Sequence, residues 1–258
     1  MGKEVFNRYE KKFIINDKTY NVLMELFGKC MKLDEYNQSN GFYTICNIYY
    51  DTISNDLIKK SVSKPIYKEK LRLRTYGVPK ENTKGYLEIK KKYNGIVNKR
   101  RTSMGIQEAY DFVSSKRSPK LQPYHNSQVI NEIEFFINRY ELKPTTYIAY
   151  DRKAMFNEDL RITFDTNIRT RRYDLALELG DHGEPLLQND QWLMEIKVEK
   201  AFPIWLTKAL SELKIYPASF SKYGCEYLNT VRDENISKGD LMTCLNPYLA
   251  VQQVPRFH

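Results

Sequence analysis

Charged residues recur at short even spacing along this chain: Arg8, Glu10 and Lys12; Arg72 and Arg74; Glu88 and Lys90; Lys99 and Arg101; Arg161 and Asp165; Glu195 and Lys197, with Arg152 alone. A period of two is the side-chain repeat of a β-strand, so each group shares one sheet face. In Leu71-Arg72-Leu73-Arg74 the leucines take the opposite face, which must pack under other structure. Cations dominate these segments, which points to one shared concave site for a polyanion. Guanidinium groups offer planar paired donors to phosphate oxygens and ammonium groups offer mobile point charges, a mixture suited to several phosphates in a row. Cations crowded into a dry interior would repel and lose hydration, so the charged faces read as a water-filled or ligand-filled tunnel.

The elements that position these residues read as mostly strands. A first strand is expected over 5–15, with Asn16-Asp17 then capping a helix over 18–31 that carries Val22, Leu23, Leu26, Phe27, Cys30 and Met31 at helical spacing. A strand over 42–51 precedes a short helix or turn near 54–61. Strands over 67–76, 84–93 and 95–104 follow, the last two joined by the hairpin signal Asn94-Gly95. A helical segment at 106–115 and a Ser/Pro/Lys-rich loop at 114–127 come next, then a helix over 126–140 that Pro144 keeps from continuing. A hairpin is expected from 145–156 and 160–168, a charged loop over 169–190, a strand over 191–199 and a helix opened by Pro203. The tail after about 229 has no clear reading. About eight antiparallel strands with peripheral helices give an α+β class, and closure into a barrel would remove sheet edges and create a lumen.

The chain has 258 residues, enough to bury a sizeable core, and no linker divides it; one domain is expected, with a core over about 5–228 and a tail over 229–258. The net charge of +9 implies an anionic partner: nucleic acid, anionic lipid or a phosphorylated small molecule. Twenty Tyr and twelve Phe suit strands and could also stack bases, though core packing accounts for them more simply. Cys30, Cys46, Cys225 and Cys244 lack metal-ligand spacing, so reduced thiols are expected. Neither a signal peptide, nor a myristoylation signal, nor a membrane-spanning run is evident, and a cytoplasmic location is expected.

The segments Arg8-x-Glu10-x-Lys12, Leu71-Arg72-Leu73-Arg74, Leu87-Glu88-Ile89-Lys90, Tyr150-Asp151-Arg152, Leu160-Arg161-Ile162-Thr163-Phe164-Asp165, Met194-Glu195-Ile196-Lys197 and Ser219-Phe220-Ser221-Lys222 occur in an order that resembles the polyphosphate polymerase (VTC) domain of the vacuolar transporter chaperone family. That domain belongs to the wider CYTH or triphosphate tunnel metalloenzyme group. The resemblance implies an eight-stranded antiparallel tunnel holding ATP and inorganic polyphosphate, with Mn²⁺ or Mg²⁺ as cofactor. It implies phosphate-contacting roles in catalysis for Arg72, Arg74, Lys90, Arg152, Arg161 and Lys197. Substrate-binding roles follow for Lys12, Lys99, Arg101, Tyr150 and Lys222, and for Arg8, and metal binding for Glu195 and Glu10. Arg100 beside Lys99 and Arg101 leaves the register of that strand open. Arg8 stands where the tunnel group often has a carboxylate, which removes a metal ligand and leans toward the polymerase branch.

A polyphosphate terminus is already an oxyanion, so its attack on the γ-phosphorus of ATP needs no protein nucleophile; His125, His182 and His258 all lie outside the strand motifs. Plainer readings stand beside this one. Glu88 with Lys90 and Glu195 with Lys197 could be exposed surface pairs. The run Arg169-Thr170-Arg171-Arg172 suggests a solvated face, Tyr150 and the two tryptophans suggest packing, and Asp165 suggests a turn cap. The function classes left open are a polyphosphate-synthesising transferase, a tunnel triphosphatase in which Glu10, Glu88 or Asp165 orients water, and a non-catalytic binder of polyphosphate or nucleic acid. Nucleic acid is not the expected partner.

Overall fold

The computed structural model describes residues 9–37, 41–158 and 160–237. Arg8, Asp159, Cys244 and His258 lie outside the described residues, as does the tail beyond 237. In chain order the elements are β1 (Tyr9–Asn16), α1 (Asp17–Phe27), β2 (Lys32–Leu33), β3 (Tyr43–Asp51), α2 (Asp56–Val62), β4 (Tyr67–Tyr76), β5 (Lys84–Tyr93), β6 (Ile96–Gly105), α3 (Ile106–Ser115), α4 (Ser127–Arg139), β7 (Lys143–Asn157), β8 (Leu160–Arg171), β9 (Glu184–Pro185), β10 (Gln191–Val198), α5 (Ile204–Glu212) and α6 (Lys222–Ser237).

The class is α+β and the ladders are antiparallel, as expected. The strands follow the hydrogen-bonded path β1-β10-β8-β7-β3-β4-β5-β6, with the two-residue strands β2 and β9 attached to β7 and β8. β1 and β6 end this path, so among the described residues the ladder is an open series and the closed ring of bonds expected for a barrel is not formed.

The chain separates into two compact units. The first contains residues 42–152 and 167–186 and so holds β3 to β6, α2 to α4 and the first part of β7. Its core joins Leu71, Leu73, Leu87 and Ile89 to Ile106, Phe112, Ile130, Ile133 and Phe136, all buried. Alternation on β4 and β5 sends those leucines and Ile89 to the helix side and Arg72, Arg74 and Glu88 to the other. Asn94 and Gly95, at φ 42° and 85°, make the tight turn between β5 and β6. Asn126 caps α4 by accepting the Val129 N–H at 3.1 Å, and the five apolar residues expected to face inward from that helix are all buried.

The second unit contains residues 9–41, 153–166 and those from 187 onward within the described set. Its core packs Phe13, Leu23, Phe27, Phe164, Met194, Ile196 and Leu206. Trp192 stacks on Tyr20 with ring centroids 3.8 Å apart, and Trp205 meets Phe27 edge-on, as packing residues should. Asn16 caps α1 through the Thr19 N–H at 2.9 Å.

Three further expectations need correction. Pro144 does not separate α4 from the next strand but lies inside β7, opposite Tyr50, where the β3–β7 register shifts. A proline is tolerated at such an irregularity because no ladder donor is required of it. The expected loop beginning at 169 is strand as far as Arg171, because Arg169 and Thr170 pair with Pro185 and Glu184 of β9. α1 stops at Phe27, leaving Cys30 exposed beyond it.

Candidate functional site

In the first unit, cross-strand register collects the basic residues of β4, β5 and β6. Arg72 lies opposite Glu88, Glu88 opposite Arg101, and Lys70 opposite Lys90, which faces Lys99. Glu88 is 1 % exposed and binds two cations, with one oxygen taking Arg72 Nε at 2.7 Å and Nη2 at 2.6 Å and the other Lys99 Nζ at 2.9 Å. The exposed-surface reading of Glu88 is therefore wrong. Burial opposes its charge, but Arg72, Arg74 and Lys99 together hold the carboxyl well below the usual carboxylate range. Desolvation works against the Arg72 charge and Glu88 outweighs it, keeping the guanidinium firmly protonated.

Lys99 responds the other way. Desolvation first and the neighbouring Arg72 guanidinium second push its ammonium down to about 7, despite its contact with Glu88. Arg100 points to the helix side, where it meets Glu132 at 3.2 Å, which settles the register: Lys99 and Arg101 share the face of Glu88. Arg101 lies over the Tyr86 ring at 4.5 Å.

Two partners in this cluster were missed in the sequence. Tyr49 accepts from Arg72 Nη1 at 3.0 Å, and Asn47 accepts from Arg74 Nε at 2.8 Å while donating to the Ile148 carbonyl. Both stand two apart on β3, the same even spacing that flagged the cations, but neither is charged. The Tyr150 hydroxyl accepts from Arg74 Nη2 at 3.0 Å, and Arg152 lies 5.1 Å from the Tyr150 ring. Tyr150 is thus a buried aromatic whose hydroxyl faces the cations. Lys90 is exposed on β5.

In the second unit, β1 and β10 place Glu10 opposite Lys197 and Lys12 opposite Glu195. Lys12 Nζ lies 3.3 Å from Glu195 and 3.6 Å from Glu10; Lys197 Nζ lies 3.4 Å from Glu195 and 3.9 Å from Glu10. Lys12 also donates to the Phe220 carbonyl, and its own carbonyl accepts the Ala218 N–H, which pins the Ser219–Lys222 segment against β1. Ser221 then caps α6 through the Gly224 N–H. Lys222, the first residue of α6, meets the buried Asp165 at 2.5 Å and is itself partly buried. Asp165 accordingly caps no turn: it sits within β8, and its partner lies far along the chain. Arg161 is on the same strand, exposed, and bound to Asp34 at 2.7 Å.

The run at 169–172 is also not a solvated face. Arg171 is buried over the Tyr147 ring at 3.5 Å, and its donors bind the carbonyls of Asp174, Gly180 and His182. Arg169 binds Asp151 and Asp181. These arginines clasp a loop of their own unit.

A divalent cation fits the second cluster in part. Glu10 and Glu195 supply hard carboxylate oxygens, and the buried Thr163 Oγ1, across the ladder from Glu195, has no hydrogen-bond partner among the described residues. No group of three or more His, Cys, Asp or Glu suited to a metal occurs among the described residues. Such a donor set suits Mg²⁺ or Mn²⁺ that takes its other ligands from phosphate and water.

The family model for the VTC domain matches residues 7–230 of the chain. No curated protein matches it. Among solved structures, a candidate adenylate cyclase of Bacillus halodurans is similar at 15 % identity and a TM-score of 0.51, covering 86 % of this chain and 96 % of that one. A candidate adenylate cyclase of Vibrio parahaemolyticus has 10 % identity and a TM-score of 0.47, with 87 % and 99 % covered. A candidate adenylyl cyclase of Hippeastrum, described as having a dominant triphosphatase activity, has 15 % identity and a TM-score of 0.49, with 91 % and 97 % covered. The Bacillus likeness is one of fold. Among the described residues no helix is long and apolar enough to cross a membrane.

Proposed function

This chain belongs to the VTC domain family, and on that premise we propose that it is a metal-dependent phosphotransferase that moves the γ-phosphate of ATP onto a growing polyphosphate chain. The observation that carries this reading is the Arg72–Glu88–Lys99 group, in which a buried carboxylate orients two cations on a strand face shared with Arg74 and Arg101. Fixed donors of that kind stabilise charge that gathers on transferring and leaving oxygens, because they need no reorganisation as it develops.

In the proposed step the terminal oxygen of polyphosphate attacks the γ-phosphorus, the bond to the β,γ-bridging oxygen breaks, and ADP leaves. Arg72 and Arg74 grip phosphate oxygens with paired donors, Tyr150 and Tyr49 hold those guanidiniums in place, and Lys90, Lys99, Arg101 and Arg152 add charge. In the second unit Lys12, Lys197, Arg161 and Lys222 form a cationic group of their own suited to phosphate. Mg²⁺ or Mn²⁺ on Glu195 and Glu10 would act as a Lewis acid toward phosphate oxygens. The span from about 5 to 228 serves as one functional domain in this reading.

Glu88 and Asp165 are each engaged by cations, which disfavours either as the base of a hydrolase. The test is to incubate the purified chain with ATP and Mn²⁺ and size the products on a gel. Long chains are expected; release of free phosphate without chains would replace the polymerase by a triphosphatase, and no turnover with retained polyphosphate binding would leave a binder.

A further inference from the structure

The β5–β6 hairpin ends in consecutive exposed residues, 93 to 98, so among the described residues neither face of its tip is covered by another element. Tyr93 and Ile96 are cross-strand partners beside the turn, 62 % and 66 % exposed. Val97 follows, also exposed, and Ile66 is 69 % exposed where its carbonyl accepts the Asn94 N–H at 2.9 Å. Alternation sends Tyr93 and Ile96 to one face of the tip and Val97, opposite Lys92, to the other, so both faces of this end of the hairpin carry exposed apolar side chains. Beside them the positive charge is concentrated: Lys68 and Lys92 are directly opposite on β4 and β5, a destabilising arrangement of like charges. Lys64 is close enough that it and Lys92 both act on Lys68, and Lys60 lies 5.8 Å from the Tyr67 ring. Among the described residues no ion pair engages Lys60, Lys64, Lys68 or Lys92; the Lys68 ammonium donates to the Ser61 carbonyl at 3.1 Å.

We propose that this corner docks the protein on an anionic phospholipid surface, with Tyr93, Ile96, Val97 and Ile66 entering the headgroup region and Lys60, Lys64, Lys68 and Lys92 meeting lipid phosphates. A hairpin tip with exposed aliphatic side chains and one tyrosine, beside a group of ammonium groups, matches the chemistry of an interfacial anchor, in which apolar insertion and attraction to anionic lipid act together. A protein partner of ordinary affinity would need a broad complementary patch of about 800 Å² per side, which a single hairpin tip does not present. The lysines, which repel one another in the free protein, find their neutralising charge in the diffuse field of the bilayer. This inference is independent of the phosphotransferase reading.

The experiment is sedimentation of the full chain with vesicles of phosphatidylcholine, with and without phosphatidylglycerol. Binding is expected only to the anionic vesicles. The double variant Ile96→Asp/Val97→Asp is expected to lose on the order of tenfold in partition, and Lys64→Glu/Lys92→Glu a similar amount, with thermal melting unchanged because all four side chains lie outside the core. Failure to bind anionic vesicles, equal binding to neutral ones, or full binding by the Ile96/Val97 variant would each overturn the proposal. In the last case the attachment would be electrostatic adhesion alone.

Discussion

At the level of single residues, Glu88 and Lys99 make the sharpest predictions. Replacing Glu88 by Gln leaves Arg72 and Lys99 without their shared counter-charge, and removing one partner of a buried pair costs about 3 kcal/mol. Differential scanning calorimetry should register a clear loss of melting temperature together with reduced turnover; an unchanged melt would show that the carboxylate does not organise the cluster. Lys99, at about 7, is largely neutral at pH 8 in the free protein. Its folded value lies below the ordinary lysine value, so the unfolded chain holds a proton that the folded one lacks between about pH 7 and the lysine value of about 10.4, and this group favours folding as pH rises through that window. A polyanion restores the charged form. Tripolyphosphate binding at pH 8, followed calorimetrically in buffers of different ionisation enthalpy, should take up close to one proton more in the wild type than in Lys99→Met. Equal uptake by the two would remove Lys99 from the binding face. Glu195→Gln should abolish metal-stimulated turnover while metal-free tripolyphosphate binding is kept or strengthened, since a negative charge leaves a cationic surface. Weaker metal-free binding would contradict the role given to that carboxylate.

At the level of elements, what could be read from the residues was the local pattern. β4, β5 and β6 fall within a residue of their expected bounds because Leu71 and Leu73 alternate with arginines and Asn94-Gly95 admits only a tight turn. The same alternation paired Arg72 with Arg74 and Lys99 with Arg101, but which face the second pair took stayed open until Arg100 met Glu132 on the helix side. What could not be read depended on distant partners. Asp165 looks like a turn residue until Lys222 is brought beside it, and Arg169 to Arg172 look solvated until the loop carbonyls of Asp174, Gly180 and His182 close on Arg171. Asn47 and Tyr49 escaped notice because uncharged polar residues in a strand carry no signal of the cations across the ladder. The loop clasp has its own test: a methyl group on Gly183 would sit 2.7 Å from the Thr170 carbonyl oxygen, a backbone atom with little freedom to move. Gly183→Ala should lower unfolding free energy by about 1–3 kcal/mol in urea titration; an unaltered midpoint would mean that the loop approaches β8 less closely.

For the molecule as a whole, the excess of basic residues favours an anionic partner, and the function proposed above makes that partner a chain of phosphates. The chemistry assigned to this chain requires no nucleophilic side chain, only cations and carboxylates held on strands by cross-strand pairing. The decisive question is where the γ-phosphate goes. ATP labelled in that phosphate, mixed with the protein, Mn²⁺ and an unlabelled polyphosphate primer, should deliver the label into chains in a single turnover, with little in free phosphate. Label appearing only as free phosphate would contradict the account.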